Sequence, residues 1–260
     1  MKTAVITLSY EGAKIMRRVA EFLPEADLFV HDQVTEQISA ERFSRVVDLT
    51  ARIFSLYQGL VYVAPCGAVV RAIAPHIKDK TTDPAVVQVD VGGRWAVSLL
   101  SGHEGGANAL AVVVSNAVGA EPVITTSTDA AKNIIVGVGC RKDKGADEIV
   151  AAVNSALAEA GAKLEQVRFM ASADVKRNER GLLEAAERLG APLRFISSEE
   201  IRNCSREFQK SEFVEASVNI PAVAEPCALL AGRRTSLILR KKAYEGITVA
   251  VAKESSLSLE

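Results

Sequence analysis

No apolar run in the 260 residues is long enough to cross a bilayer, so no membrane helix is expected. Charge of one sign is missing as well. The 31 Lys and Arg stand against 32 Asp and Glu, which leaves no basic face of the kind nucleic-acid binding needs. Short basic spots occur at Arg141-Lys142 with Lys144, at Arg233-Arg234 and from Arg240 to Lys242, and each by itself reads as solvated surface. Cysteine is scarce: Cys66, Cys140, Cys204 and Cys227 form no C-x-x-C pair. That argues against a zinc ribbon or a disulfide framework and for a reducing, cytoplasmic setting. The three histidines, His31, His76 and His103, are not spaced as a metal set, so no protein-bound metal is expected. The opening MKTAVITLSYEGAK lacks a sustained apolar region and a small-residue cleavage site, and reads as a first β-strand rather than a leader. There is no internal repeat, no low-complexity segment and no P-loop. A G-x-G-x-x-G match beginning at Gly137 fails because Lys142 stands where its last glycine belongs.

What is present is alternation. Hydrophobic residues make up 48% of the chain, enough for one large core or two ordinary ones. Strand-like runs at 4–8, 27–30, 60–64 and 85–89 alternate with helical spacing at 13–22, 41–57 and 67–73. The runs 85–89 and 95–99 are joined by Asp90-Val91-Gly92-Gly93-Arg94, a hairpin signal. A helix is expected over 107–118 and a short strand over 122–125. The polar stretch 126–133 marks a boundary. Beyond it, strands at 134–138, 167–171, 193–196, 236–240 and 247–252 alternate with helices. Asn178 is placed to cap one helix and Gly190 to end it. Ser197 and Glu200 have capping-box spacing, Ser211-Glu212 opens a short helix, and Glu225-Pro226 starts another that ends at Gly232. The expected fold is α/β: two domains, 1–132 and 133–260, with mainly parallel, mixed sheets flanked by helices.

Two strand-to-helix loops could carry chemistry, because ligands in open α/β sheets bind at the carboxyl ends of strands. The first is Ser101-Gly102-His103-Glu104-Gly105-Gly106-Ala107-Asn108, whose glycines let backbone amides approach a ligand and whose following helix start favours an anion. The second is Gly137-Val138-Gly139-Cys140-Arg141-Lys142-Asp143-Lys144-Gly145, which adds three cationic side chains. Each pattern also fits an ordinary glycine-rich turn. His103 is either an acid/base group, by its titration range, or a loop histidine bonded to backbone. His76 and His31 read as a helix-end charge and ordinary surface. Cys140 is either a thiol activated at a helix start or a small apolar residue. Glu225 reads as a helix-start carboxylate.

The runs "VVRAIAPHIKDKTTDPAVVQVDVGGRWAVSLLSGHEGGANALA" (69–111) and "IIVGVGCRK" (134–142), with "GLLEAAERLGAPLRF" (181–195) and "SEFVEASVNIPAVAEPCALLAG" (211–232), resemble the cobalt-precorrin-5A hydrolases of anaerobic cobalamin biosynthesis, the CbiG family. The later runs also resemble the CobE proteins of the aerobic pathway. S-G-H-x-G-G-A-N together with a downstream G-x-G-C-R-K is far more specific than either alone. Many members carry a middle segment after the I-T-T-x-T-D region. Here Asp129 is followed almost at once by Ile134, so the chain resembles a compact form.

The resemblance implies a hydrolase that opens the δ-lactone of cobalt-precorrin-5A and releases acetaldehyde to give cobalt-precorrin-5B. The cobalt arrives with the substrate, so no cofactor is expected. The implied assignment makes His103 the base and Glu225 or Glu104 the group that orients its imidazole. Ser101, Gly102, Gly105, Gly106, Asn108, Gly139, Cys140, Arg141 and Lys142 would bind the tetrapyrrole and its carboxylates. A homodimer could replace the enclosure that the middle segment provides, and other enzymes of the pathway are the natural partners. The competing reading is a non-catalytic carrier that hands the tetrapyrrole intermediate between enzymes.

Overall fold

Three five-residue runs, TAVIT, GLVYV and AVVQV, are apolar on both faces and fully buried, as the inner strands of a parallel sheet must be when helices cover it from both sides. The computed structural model, which describes residues 1–255, divides into two compact units, the first Met1–Thr126 and the second from Ser127 onward. The break falls at the head of the polar stretch 126–133. No helix among the described residues is long and apolar enough to cross a membrane.

The first unit contains β1 (Thr3–Thr7), α1 (Tyr10–Phe22), β2 (Asp27–His31), β3 (Glu41–Phe43), α2 (Val46–Ile53), β4 (Gly59–Val63), α3 (Cys66–Ile73), β5 (Ala85–Val89), β6 (Trp95–Leu100), α4 (Ala107–Val118) and β7 (Glu121–Val123). Its sheet has the order β3-β2-β1-β4-β5-β6-β7. The period-two side-chain alternation divides the core. Val5, Val61 and Val87 pack under α1 and α4 with Met16, Val19 and Leu110. Ala4, Ile6, Leu60 and Tyr62 pack on the other face under α2 and α3 with Leu49, Ile53 and Val69. The stretch 41–57 corrects the expectation of one helix. Its first residues form β3, paired parallel to β2 from Phe29–Glu41 to His31–Phe43, and the helix is confined to α2. Phe43 is buried against the sheet, so tertiary pairing overrides the helical spacing that follows it.

The direction of β6 matters most for function. Strands β1 to β5 run parallel, whereas β6 is antiparallel to β5 and β7 is parallel to β6. Leu100, the last residue of β6, therefore pairs with Val86 near the start of β5. The loop after β6 lies at the carboxyl ends of β6 and β7, but at the amino edge of β1, β4 and β5.

The second unit contains α5 (Ser127–Ala130), β8 (Ile134–Cys140), α6 (Ala146–Glu159), β9 (Val167–Ala173), α7 (Arg180–Leu189), β10 (Leu193–Ile196), α8 (Ser198–Arg202), α9 (Glu212–Val218), α10 (Ala224–Leu230), β11 (Thr235–Tyr244) and β12 (Ile247–Glu254). Its sheet order is β10-β9-β8-β12-β11. The first three strands are parallel, and β12 is antiparallel to both neighbours. The hairpin β11–β12 turns at Glu245-Gly246, both left-handed with φ of 44° and 90°, the signature of the tight turn that matches strand twist. Helices α6 and α7 cover one face through Ile149, Val153, Leu157 and Leu182. Helices α8 and α10 cover the other through Ile201, Cys227 and Ala228, packed on Ile135 and Ala171. Local signals read correctly here include Gly190, left-handed at the end of α7, and the reciprocal Ser197–Glu200 cap of α8. Asn178 lies short of its expected place, because the residue before α7 is Glu179, which makes no side-chain cap.

Candidate functional site

The loop after β6 folds back on itself. Ser101 leaves the strand with a left-handed φ of 56° and is buried. Its carbonyl accepts from Ala107 N at 3.1 Å, and the Gly102 carbonyl accepts from Asn108 N at 2.9 Å, so the loop closes onto the start of α4. Closure explains the glycines. A methyl on Gly105 would come within 2.4 Å of Ser101 Cβ, one on Gly102 within 2.6 Å of Thr126 Cγ2, and Gly106 precedes α4 at φ 86°. Asn108 is the internal brace. Its Oδ1 accepts from Ser98 Oγ at 2.7 Å, and its Nδ2 donates to Thr126 Oγ1 at 2.8 Å, tying together β6, α4 and the chain after β7. Removing that brace with Asn108→Ala is expected to cost about 2 kcal/mol, the loss of two partly buried hydrogen bonds. Thermal unfolding of the first unit measures it, and an unchanged melting temperature would refute the bracing role.

Two features remain available for chemistry. Ser101 Oγ is buried with no hydrogen-bond partner among the described residues, beside the position a Gly105 methyl would take. A buried hydroxyl without a partner is costly, which makes it a group that gains from a ligand or water. His103 and Glu104 are exposed at the loop tip. Glu104 pairs with Lys80 at 2.5 Å, and the Lys80 hydrogen bond holds its carboxyl below the usual carboxylate range, with charge on His103 a smaller contributor. Thus Glu104, a candidate to orient the imidazole, is bound to a lysine that sequence reasoning did not single out. No local signal links Lys80 to residue 104; only the strand order brings them together. The other histidines have local roles: a ring nitrogen of His31 meets the Ser44 carbonyl at 2.8 Å, and the His76 ring lies tilted by 38° against that of Phe54.

In the second unit, β8 feeds a loop that ends at α6. Gly139 is buried, and a methyl there would meet Thr248 Oγ1 at 2.7 Å and Val223 Cβ at 3.1 Å; its role is close packing. Cys140 is half-buried against the core of α6 and α7. Burial pushes its thiol above the usual range, with Lys176 opposing and Glu179 adding, which disfavours a thiolate nucleophile. Arg141 donates its backbone N–H to the Gly246 carbonyl at 2.9 Å, and its side chain is exposed. Lys142 and Lys144 line a cavity of about 420 Å³ that also receives Glu179, Arg180 and Gly181 from α7 and the residue before it. Gly181 permits this approach, since a methyl there would fall 1.9 Å from the Lys144 carbonyl. Lys144 is paired with Glu148 at 2.5 Å, while Glu179 holds Lys176 at 3.0 Å and the Asp143 N–H at 3.3 Å.

Glu225 lies on α10 and is fully buried. Its Oε2 accepts from Gln209 N at 2.7 Å and its Oε1 from Lys241 N at 2.8 Å, with Arg240 at 3.8 Å. Its two oxygens thus hold two chain segments of its own unit. The structure gathers Ser101, Gly102, His103, Gly105, Gly106 and Asn108 into one loop, and Gly139, Cys140, Arg141 and Lys142 into another. Glu225 belongs to α10, on the opposite face of that unit's sheet from α6 and α7, and the chain at the start of α10 packs on Gly139 through Val223.

Residues 48–129 match the family model described as Cobalamin synthesis G N-terminal, and residues 134–252 match Cobalamin synthesis G C-terminus. The chain belongs to the CbiG family. Only residues 130–133 separate the two matches, so this is a compact member. It is 26% identical to a cobalt-precorrin-5A hydrolase of Priestia megaterium over 352 aligned positions, covering 96% of this chain and 94% of that protein. The aligned length exceeds the 260 residues here, so that relative carries chain that this one lacks. Protein CobE of Sinorhizobium sp is 33% identical over 136 residues, 52% of this chain and 88% of that one. The crystal structure of CobE, a protein from the cobalamin biosynthetic pathway, is 28% identical, with a TM-score of 0.44, covering 47% of this chain and 91% of that one. Family membership puts the CbiG-like chain in cobalamin biosynthesis.

Proposed function

We propose that this CbiG-family chain is a cobalt-precorrin-5A hydrolase that opens the δ-lactone of its cobalt-bearing tetrapyrrole and releases the extruded two-carbon unit as acetaldehyde, leaving cobalt-precorrin-5B. The observation that carries the reading is the loop 101–108. An exposed imidazole, a buried hydroxyl without a partner and a helix start lie within one folded turn. Similarity to the Priestia megaterium hydrolase over nearly the whole chain supports the same reading.

His103 takes a proton from water as the water oxygen adds to the lactone carbonyl. The backbone amides of Gly105 and Gly106 stabilise the oxyanion, with the positive end of the α4 dipole beside them. Collapse breaks the ring C–O bond and leaves a carboxylate and a free hydroxyl. Deprotonation of that hydroxyl forms the carbonyl of acetaldehyde while the adjacent carbon–carbon bond breaks, and the conjugated macrocycle accepts the electron pair and a proton. In the second unit, exposed Arg141 and the cavity lined by Lys142 suit the peripheral carboxylates. The cobalt enters as part of the substrate.

His103→Ala is expected to slow acetaldehyde release by about a hundredfold. Acetaldehyde is measured with a coupled dehydrogenase, and release at the parent rate refutes the role. The alternative is a carrier of the tetrapyrrole, favoured by CobE, a relative that matches about half of this chain over 88% of its own length and so stands alone without the other half. A carrier binds the macrocycle and yields no acetaldehyde.

A further inference from the structure

A cavity of about 470 Å³ opens in the second unit around the segment that joins α8 to α9, and neither glycine loop contributes a residue to its lining. Arg202, Arg206, Lys210 and Arg240 line it, with Glu207 as the only acidic residue of the lining among the described residues and Cys204 at its wall. The wall is fixed at two points. Arg206 Nη1 donates to the Thr235 carbonyl and to Thr235 Oγ1, both at 2.6 Å, and Gln209 N donates to the buried Glu225 carboxylate at 2.7 Å. Fixed walls keep cations from collapsing onto nearby acids. Arg202 makes one long contact, 3.3 Å to the Asn219 carbonyl, and Arg240 stands 3.8 Å from Glu225. Lys210 has no ion-pair or side-chain hydrogen-bond partner among the described residues. Glu207 and the Glu225 carboxylate near Arg240 offset only part of four cations, so an excess of positive charge is left in a preformed concavity among the described residues.

We infer that this cavity is a carboxylate-binding subsite that receives the peripheral acidic arms of the tetrapyrrole. The assignment to a tetrapyrrole rests on the proposed function; the carboxylate chemistry rests on the cavity. At about 470 Å³ it is smaller than a whole macrocycle needs, and it suits one or two carboxylate-bearing arms. Arg202 and Arg240 offer paired N–H donors matched to a carboxylate, and Lys210 offers a point charge.

The test uses the intact chain with uroporphyrin, a porphyrin carrying eight carboxylates, and with citrate as a small polycarboxylate. Cys204 reports occupancy of the cavity, and exposed Cys66, in the other unit, serves as the control. Uroporphyrin should slow iodoacetamide labelling of Cys204, read by peptide mass spectrometry, and leave Cys66 labelling unchanged. Lys210→Gln and Arg202→Gln should each weaken uroporphyrin binding about tenfold, an effect that shrinks in high salt. Protection by citrate but not by uroporphyrin overturns the macrocycle assignment. Unprotected Cys204, with Lys210→Gln binding as tightly as the parent, overturns the subsite altogether. No acetaldehyde enters these readouts, so failure of the hydrolase reading would be seen separately.

Discussion

Glu225→Ala is expected to destabilise the second unit by about 3–5 kcal/mol, because each of two backbone N–H groups loses a charged acceptor. Gln209 and Lys241 sit on segments far apart in the chain, and the buried carboxylate on α10 is what joins them. Alanine leaves both N–H groups without that partner and removes the acid facing Arg240. Glu225→Gln keeps the shape and one acceptor oxygen but turns an amide NH2 toward an N–H, so about half the loss is expected. Melting of the variants by calorimetry gives the measurement; the alanine change should lower the transition of this unit by roughly 10 °C or more. A Glu225→Ala protein as stable as the parent would falsify the clamp. If Glu225→Gln instead keeps its stability and loses acetaldehyde release, the catalytic assignment of this residue gains.

The second large effect concerns Gly137, in the middle of β8. A methyl there would lie 1.9 Å from the Ala224 carbonyl oxygen and 2.9 Å from Ala228 Cβ. Helix α10 thus rests directly on the strand, and both obstacles belong to a packed element rather than to the end of a flexible side chain. Gly137→Ala should cost about 3 kcal/mol or more, at the upper end for overpacking, since α10 must shift as a body. That shift carries Glu225 with it, so the wall at residues 206–210 should loosen too. Hydrogen exchange at the Gln209 and Lys241 amides reports this independently of the melting temperature. The contrast is Gly67, exposed in α3 with only Arg71 Nη1 near its added methyl at 3.3 Å. Gly67→Ala should be neutral or stabilise by up to about 1 kcal/mol through helix propensity.

Glycine spacing alone locates both loops, but glycine has two meanings that spacing does not separate. Gly105 and Gly102 are required because the chain doubles back on Ser101 and Thr126, and Gly139 because Thr248 and Val223 press on it. None of these reasons involves a ligand. Asn108, assigned by resemblance to the substrate, has both amide atoms bonded to Ser98 and Thr126. What remains distinctive of the first loop is the pairing of exposed His103 with the unpartnered Ser101 hydroxyl. The second property is invisible in a sequence, since it depends on what fails to surround an atom. The basic spot at Arg240 reads as surface when taken alone; with Arg202, Arg206 and Lys210 folded beside it, it lines a cavity.

Features that depend on near neighbours along the chain are legible from the residues alone. The α/β alternation, the left-handed Gly190, the Ser197–Glu200 cap and the two strand-to-helix loops all follow from periodicity and short-range hydrogen bonding, which act over a few residues. Tertiary structure decided the rest. It made Glu41–Phe43 a strand through pairing with β2, and it set β1 and β4 parallel to β5, so that the 101–108 loop beyond the antiparallel hairpin lies at the amino edge of β1, β4 and β5. It also placed the Glu225 carboxylate between the Gln209 and Lys241 amides. Each of those outcomes turns on a partner well separated along the chain, and the energy of such a contact exists only once the fold has brought the two ends together.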